Sequence, residues 1–329
     1  MVRDNRIDSL KGFLILLVVL GHIIICLDNV NTINHAVMGL IYVFHMPLFI
    51  LLSGYLTKPA DQQVGSKLWK NAAVLLVTIV IFHLLSVTRQ VLMNGQDLTK
   101  TLLQFPYGIL WYLMSLIYWR FMLYYTPQPL LRRPLVYLSL AFVVSALSGL
   151  TQLGNLLSIQ RALNFFPFFL LGYYYRQGAI NQRWWKGNIV HIVVVVVLLP
   201  LIFWLYPHCG KVLNGADHYP VTELPQKALI LICSVAMTLL VFNLARDVKW
   251  LRPIGKDSLF YYLYHYYIII MLIEPLVEYY VLPRNLPFVL LYTAIVMGLL
   301  VLLHKIKFLR WLTRPTLPRH TRRQEQPQE

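Results

Sequence analysis

The residues with the means to do chemistry open the chain. Arg6-Ile7-Asp8-Ser9-Leu10-Lys11-Gly12 leads into an apolar run that contains His22. An imidazole among Leu, Val and Ile is costly to bury and marks a functional position. At about 100° per residue, Lys11 and His22 are nearly eclipsed on a helix, and Asp8 falls roughly 40° to one side. The face would run from a charged mouth to a histidine about 16 Å further in. A neutral imidazole can take a proton from an alcohol near neutral pH, so general-base work is the chemistry this placement suggests.

Three further histidines fall inside apolar runs: His45, His83 and His265. A single one reads as a hydrogen-bonded structural residue; several converging on one cavity read as a site. His83 alone is expected to be structural. Metal binding is weakly signalled, because no His-x-x-x-His pair occurs and carboxylates are missing from the same runs. Lys67 and Lys70 are three apart and share a helix face at the membrane surface. With Arg6 and Lys11 they form a basic cluster suited to a phosphate-bearing molecule.

The elements that must position these residues are membrane helices. Of 329 residues, 58% are hydrophobic and 13% charged, about half the charged fraction of a soluble domain. Ten apolar runs of membrane-crossing length are expected at 12–28, 36–56, 71–90, 106–124, 134–152, 162–175, 188–206, 226–244, 258–282 and 286–304. The fold expected is an all-α integral membrane protein of ten spans with no soluble domain. Residues 1–310 form the membrane domain, and 311–329 form a polar, basic, disordered tail.

The net charge of +16 invites a nucleic-acid partner, but its distribution argues otherwise. With ten spans, 23 of the 29 Lys and Arg residues fall on one side. That is the positive-inside pattern, with both termini cytoplasmic and the lipid bilayer as the partner. The three cysteines have no metal or redox spacing. Only Cys26 and Cys209 could pair, and nothing in the sequence requires it.

Along the chain, Pro47 should kink or break the second span, and Pro167 with Gly172 suggests a kink or close backbone contact in the sixth. The aromatic cluster around Trp111 sits at the outer interface. Asp257 or Ser258 could cap the ninth span. The outer segment 206–226 is the longest on its face.

Taken in order, these motifs resemble the acyltransferase family 3 membrane proteins, in the branch related to fucose 4-O-acetylases. The likeness rests on Arg6-x-Asp8-x-Leu10-Lys11-Gly12 with His22, and on Phe44-His45-Met46-Pro47-Leu48-Phe49 with Ser53-Gly54-Tyr55. Lys67-x-x-Lys70, Trp111-Tyr112-Leu113, Pro167 to Gly172-Tyr173, and Gly255-Lys256-x-Ser258-Leu259 ending in Tyr262-Leu263-x-His265 complete it. The resemblance implies O-acetyl transfer from cytosolic acetyl-CoA, a co-substrate rather than a bound cofactor. The acceptor would be a hydroxyl of an exopolysaccharide, a lipopolysaccharide O-antigen or a lipid-linked sugar, at a bacterial inner membrane. It implies His22 as the catalytic histidine, acting as base or as an acetyl-histidine relay, and Arg6, Asp8, Lys11, Lys67 and Lys70 as donor contacts. His45, Ser53, Trp111 and His265 would line the substrate pocket. Lysines stand where the family has arginines at 11, 67 and 70; they keep the charge and lose the bidentate fork. A flippase for a lipid-linked sugar is the competing reading, but paired broken helices in two halves are not found. A pH sensor would leave the basic motifs unexplained.

Overall fold

A computed structural model describes residues 4–27, 32–180, 193, 196–204, 215–279 and 283–315. Among these the chain is helical throughout, without strands. The principal helices are α1 (Asn5–Cys26), α2 (Thr32–Tyr55), α3 (Gly65–Asn94), α4 (Trp111–Tyr125) and α5 (Pro134–Ser148). They are followed by α6 (Ile159–Arg176), α7 (Leu224–Leu244), α8 (Ser258–Ile268), α9 (Leu286–Leu303) and the short α10 (Lys307–Thr313). In a bilayer each backbone polar group must be satisfied within its own segment, so an apolar chain of this kind folds as helices.

Six stretches among the described residues are long and apolar enough to cross a membrane. They are α1, the Ala36–Tyr55 part of α2, α3, Val221–Leu244, Ser258–Val277 and α9. The chain is thus an all-α integral membrane protein. Helices α4, α5 and α6 coincide with three more of the expected runs. The first two are 15 residues each, and α6 carries Arg161, Asn164 and Arg176. Of the run expected at 188–206, residues 193 and 196–204 are described; Cys209, the 206–214 part of the outer segment and the tail from 316 lie outside the described residues.

Helix α6 is buried almost all round from Ala162 to Tyr175, as expected of an apolar helix at the centre of a bundle. It packs against α2, α5 and α4. The α2–α6 crossing is a backbone contact. A Cβ on Gly54 would run into the Phe169 carbonyl, and one on Gly172 into the Leu51 carbonyl. Small residues permit this approach, which in lipid is driven by packing. Gly255 does the same for α1, lying against the Asp8 carbonyl where the turn Arg252–Lys256 crosses it.

Helix α2 runs through Pro47 without a break. Helix α6 continues through Pro167, and the close backbone contact expected there is found at Gly172. One expectation is corrected. Neither Asp257 nor Ser258 caps α8 by a side-chain hydrogen bond. Asp257 Oδ2 instead lies 2.9 Å from His304 Nε2. Helix α10 runs across the boundary drawn at residue 310. Its Thr313 is buried, and the Thr313 carbonyl accepts from Thr78 Oγ1 at 3.4 Å.

After α8 the helix opens into a π-turn at Ile269–Ile273. The wider turn loosens the normal carbonyl pairing. Arg89 Nη2 donates to the Ile270 carbonyl at 3.1 Å and to Glu274 Oε2 at 2.5 Å, fixing α3 to this segment.

Candidate active site

Four of the cavities in the bundle follow one another along it and share walls. The first, of about 460 Å³, is near the end that holds residues 5 and 315. Its lining includes Lys11, Ser53, Asn71, Arg120 and Arg314, with Phe49 and Tyr112. A second cavity at the same end, of about 270 Å³, shares Asn71 and Arg120 with it and adds Lys58 and Lys67. Deeper in lies a histidine chamber of about 250 Å³, lined by His22, Tyr42, His45, Trp111 and Arg161. Toward the opposite end follows a cavity of about 540 Å³, lined by Gln104, Tyr107, Asn155 and Ser158. It shares Arg161, Gly108 and Tyr266 with the histidine chamber.

The helical period of α1 explains how one element serves two chambers. Lys11, Val18, His22 and Ile25 fall within about 60° of one another. Lys11 faces the larger basic cavity; the other three line the histidine chamber. Asp8 is buried, and its Oδ1 lies 3.0 Å from Lys11 Nζ, so the carboxylate holds the ammonium at the chamber wall. The base of α1 is clamped from outside the membrane. Val248 N–H donates to Ser9 Oγ at 3.0 Å, and Ser9 Oγ donates to Asp247 at 3.1 Å. Arg252 is paired with the same carboxylate. Its hydrogen bond holds the Asp247 carboxyl below the usual carboxylate range.

In the histidine chamber, His45 Nδ1 lies 2.8 Å from the Ile41 carbonyl. A carbonyl only accepts, so Nδ1 carries the proton and Nε2 is left as an acceptor. The His22 ring is 5.1 Å from that of His265 and 6.3 Å from that of Tyr266, centroid to centroid. Trp111 stacks on Phe165 at 5.3 Å, and the Arg161 guanidinium lies over its ring at 5.5 Å. The pair combines a flat apolar surface with fixed donors.

Tyr262 belongs to the walls of both the lysine and histidine chambers. Its hydroxyl donates to the Ile109 carbonyl at 2.6 Å. Tyr112 lies 5.3 Å and Phe49 6.4 Å from the Tyr262 ring. Tyr112 Oη is in turn 2.6 Å from Ser53 Oγ. Three rings thus form a partition whose polar edges are tied down.

The structure brings together His22, His45, Trp111 and, through its ring contact, His265. It places Ser53 with Lys11 rather than with the histidines. His83 stands apart, with Nε2 3.2 Å from the Leu102 carbonyl and its ring against Phe105. Arg6 lines no chamber. The period turns it about 140° away from Lys11, and its guanidinium lies over Phe242 at 5.2 Å. Lys67 lines the second basic cavity, whereas Lys70 is exposed and lines none. The lining stripe of α3 includes positions 67, 71 and 74, and Lys70 lies about 100° from the centre of the stripe. Among the described residues no group of His, Cys, Asp and Glu comes together to hold a metal ion.

Two contributors are missing from the sequence reading, and a third, Tyr262, stands there only as part of a motif without a role. Arg120 is shared by both basic cavities and has no acidic partner among the described residues. Arg161 and Tyr262 each stand between two chambers. The signal that could have found Arg120 is a cation set among aromatic residues, Tyr118-Trp119-Arg120-Phe121, within a span.

Comparison with known proteins adds what geometry cannot. The family described as "Acyltransferase domain" matches residues 4–305. Nodulation protein NolL of Sinorhizobium fredii is 49% identical over 57 residues, 16% of each chain. Nodulation protein NolL of Mesorhizobium japonicum is 28% identical over 222 residues, covering 61% of this chain and 56% of the relative. The match thus spans 16% of the length of the first relative and 56% of the second. No solved structure matches. The family match covers nearly every described helix, and on it the chain belongs to the acyltransferase-domain family.

Proposed function

We propose that this protein is a membrane-embedded O-acetyltransferase. It would move an acetyl group from cytosolic acetyl-CoA to a hydroxyl of a carbohydrate at the opposite face of a bacterial inner membrane. The observation that carries the reading is the order of the cavities. A basic compartment lies at one end, histidines lie in the middle, and a polar compartment lies at the other end. The basic end would be cytosolic, in keeping with the charge bias across the spans.

The chemistry follows from that order. Lys11, Lys67, Arg120 and Arg314 hold the donor phosphates. The pantetheine arm lies along the larger basic cavity, with the thioester directed at the partition. The acceptor sugar enters from the other side and stacks its apolar face on Trp111, with Arg161 donating to its oxygens. His22 takes the proton of the acceptor hydroxyl as its oxygen attacks the thioester carbonyl. The carbon–sulfur bond breaks, and the thiolate leaves and recovers the proton from His22. CoA remains inside, the glycan remains outside, and only acetyl crosses.

The test is transfer itself. Purified protein in lipid vesicles, given labelled acetyl-CoA and candidate glycans, is expected to add the mass of one acetyl group to an acceptor hydroxyl. Movement of a lipid-linked sugar without any dependence on CoA would overturn the reading.

Two predictions arise at the basic end. Arg120→Ala is expected to raise the KM for acetyl-CoA at least tenfold, the loss of one charge-assisted hydrogen bond of about 1.5–3 kcal/mol. The acceptor KM should stay unchanged. Arg120→Lys should recover only part, because the fork is lost. Initial rates over a donor titration check this. At the partition, Phe49→Ala is expected to widen the acyl range. Wild-type protein should discriminate against butyryl-CoA, and the variant should narrow the acetyl-to-butyryl ratio of kcat/KM by about tenfold or more, since a methylene in a packed apolar passage is worth about 1–3 kcal/mol.

A further inference from the structure

His265 presents an unanswered acceptor. It is fully buried on α8, with 0% exposure. Its Nδ1 lies 3.2 Å from the Tyr261 carbonyl, four residues back. A carbonyl cannot donate, so Nδ1 is the protonated nitrogen and Nε2 holds a lone pair. Nε2 has no hydrogen-bond partner among the described residues. Buried polar atoms without partners are few in native proteins, and each one has a cause.

The neighbourhood narrows the cause. Tyr262, whose ring is 5.9 Å from that of His265, has its hydroxyl committed to the Ile109 carbonyl. His45 has its Nδ1–H committed to Ile41. His22 makes no hydrogen bond with a described residue, and its ring stands 5.1 Å from that of His265 at a 50° tilt. At that separation a small rotation of the His22 side chain brings facing ring nitrogens into hydrogen-bonding reach.

We propose that His265 is a positioning residue for His22. Its Nε2 accepts the N–H of the facing His22 nitrogen. That selects one tautomer of His22 and leaves the lone pair on its other nitrogen, which faces the acceptor hydroxyl. When His22 takes the hydroxyl proton, both its nitrogens carry hydrogen, and the cation is held by a neutral acceptor. When the thiolate leaves, the same proton passes to sulfur and the pair is restored. The backbone carbonyl of Tyr261 thereby orients His265, and His265 orients His22. This is the logic of a base held by a third group, built here from two imidazoles and one carbonyl. The inference rests on the acetyl-transfer reading above.

Two substitutions separate this role from packing. His265→Phe keeps a ring and removes the acceptor. His265→Gln keeps an acceptor oxygen on a chain of similar reach. His265→Phe is expected to lower kcat by tenfold to a hundredfold, the range for losing a partner that orients a functional histidine. Both KM values should stay within about twofold, and the acidic limb of the kcat profile should shift. His265→Gln should recover part of the loss. Nitrogen-15 spectra of labelled His22 should show a single tautomer in the wild type and a mixture in His265→Phe. The inference is overturned if both variants lose activity equally, if only KM moves, or if wild-type His22 is already a tautomer mixture. That last measurement stands even if a variant fails to fold. Movement of a lipid-linked sugar with no dependence on CoA would instead defeat the acetyl-transfer reading itself, so the two failures are distinguishable.

Discussion

His22→Ala is expected to lower acetyl transfer by about 10²–10⁴-fold, the contribution of a positioned general base, while the protein stays folded and inserted. The reason is geometric. His22 lines the chamber between the basic and outer compartments, and alanine there removes a ring from a cavity wall rather than from close-packed core. The loss should fall on kcat. Donor KM should hold, because Lys11, Lys67 and Arg120 line separate cavities. His83→Ala is the control: with its ring nitrogen at the Leu102 carbonyl and its face on Phe105, its loss should leave kcat within about twofold. Labelled-acetyl transfer by both variants, beside a chromatographic check of folding, decides the matter. Undiminished transfer by His22→Ala would remove the base from the mechanism.

The second large effect is on folding. Gly172→Val is expected to destabilise the bundle by about 1–3 kcal/mol or more, the cost of overpacking. Added carbon at Gly172 meets the Leu51 carbonyl and lies close to Tyr55 N; at Gly54 it meets the Phe169 carbonyl and lies close to Tyr173 N. These are backbone atoms, so no flexible side chain can swing aside. Relief requires α2 and α6 to separate. That separation would pull His45 and Ser53 on α2 away from Arg161 and Phe165 on α6. Gly54→Val should behave alike. Gly298→Ala, where added carbon meets open space within α9, should cost nothing and gain the helix preference of alanine. Thermal unfolding of the purified proteins in detergent checks all three; equal midpoints for Gly172→Val and wild type would dismiss the crossing as a determinant.

Much of the arrangement was legible, for a physical reason. A helix has a fixed period, so Lys11 and His22 were bound to share a face, and a lone imidazole in an apolar run is conspicuous. The same period should have excluded Arg6 from that face and, judged against the whole α3 stripe, Lys70 from its cavity. Spacing between two residues shows whether they are neighbours; only the partner helix shows which side is lined. Arg120 and Arg161 stayed hidden because each sits near a span end, where a cation reads as a topology signal. Tyr262 stood in the motif that ends at His265, but nothing local marks which of the 21 tyrosines stands between two chambers. The α2–α6 contact was half visible, in Gly172 beside Pro167. Its counterpart Gly54 became meaningful only once the two helices crossed.

The tethered ring of Tyr262 has a consequence beyond acyl transfer. A living membrane holds a voltage, worth about 2.3 kcal/mol per elementary charge at 100 mV, and any continuous thread of water through a protein would short-circuit it. Two half-channels meeting at one aromatic wall allow a reagent to reach the middle from either bank without joining the solutions. On the proposed reading, the hydroxyl-to-carbonyl tie of Tyr262 would also act as an electrical seal, and Tyr262→Ala is expected to register as proton leakage in energised vesicles even when no substrate is present.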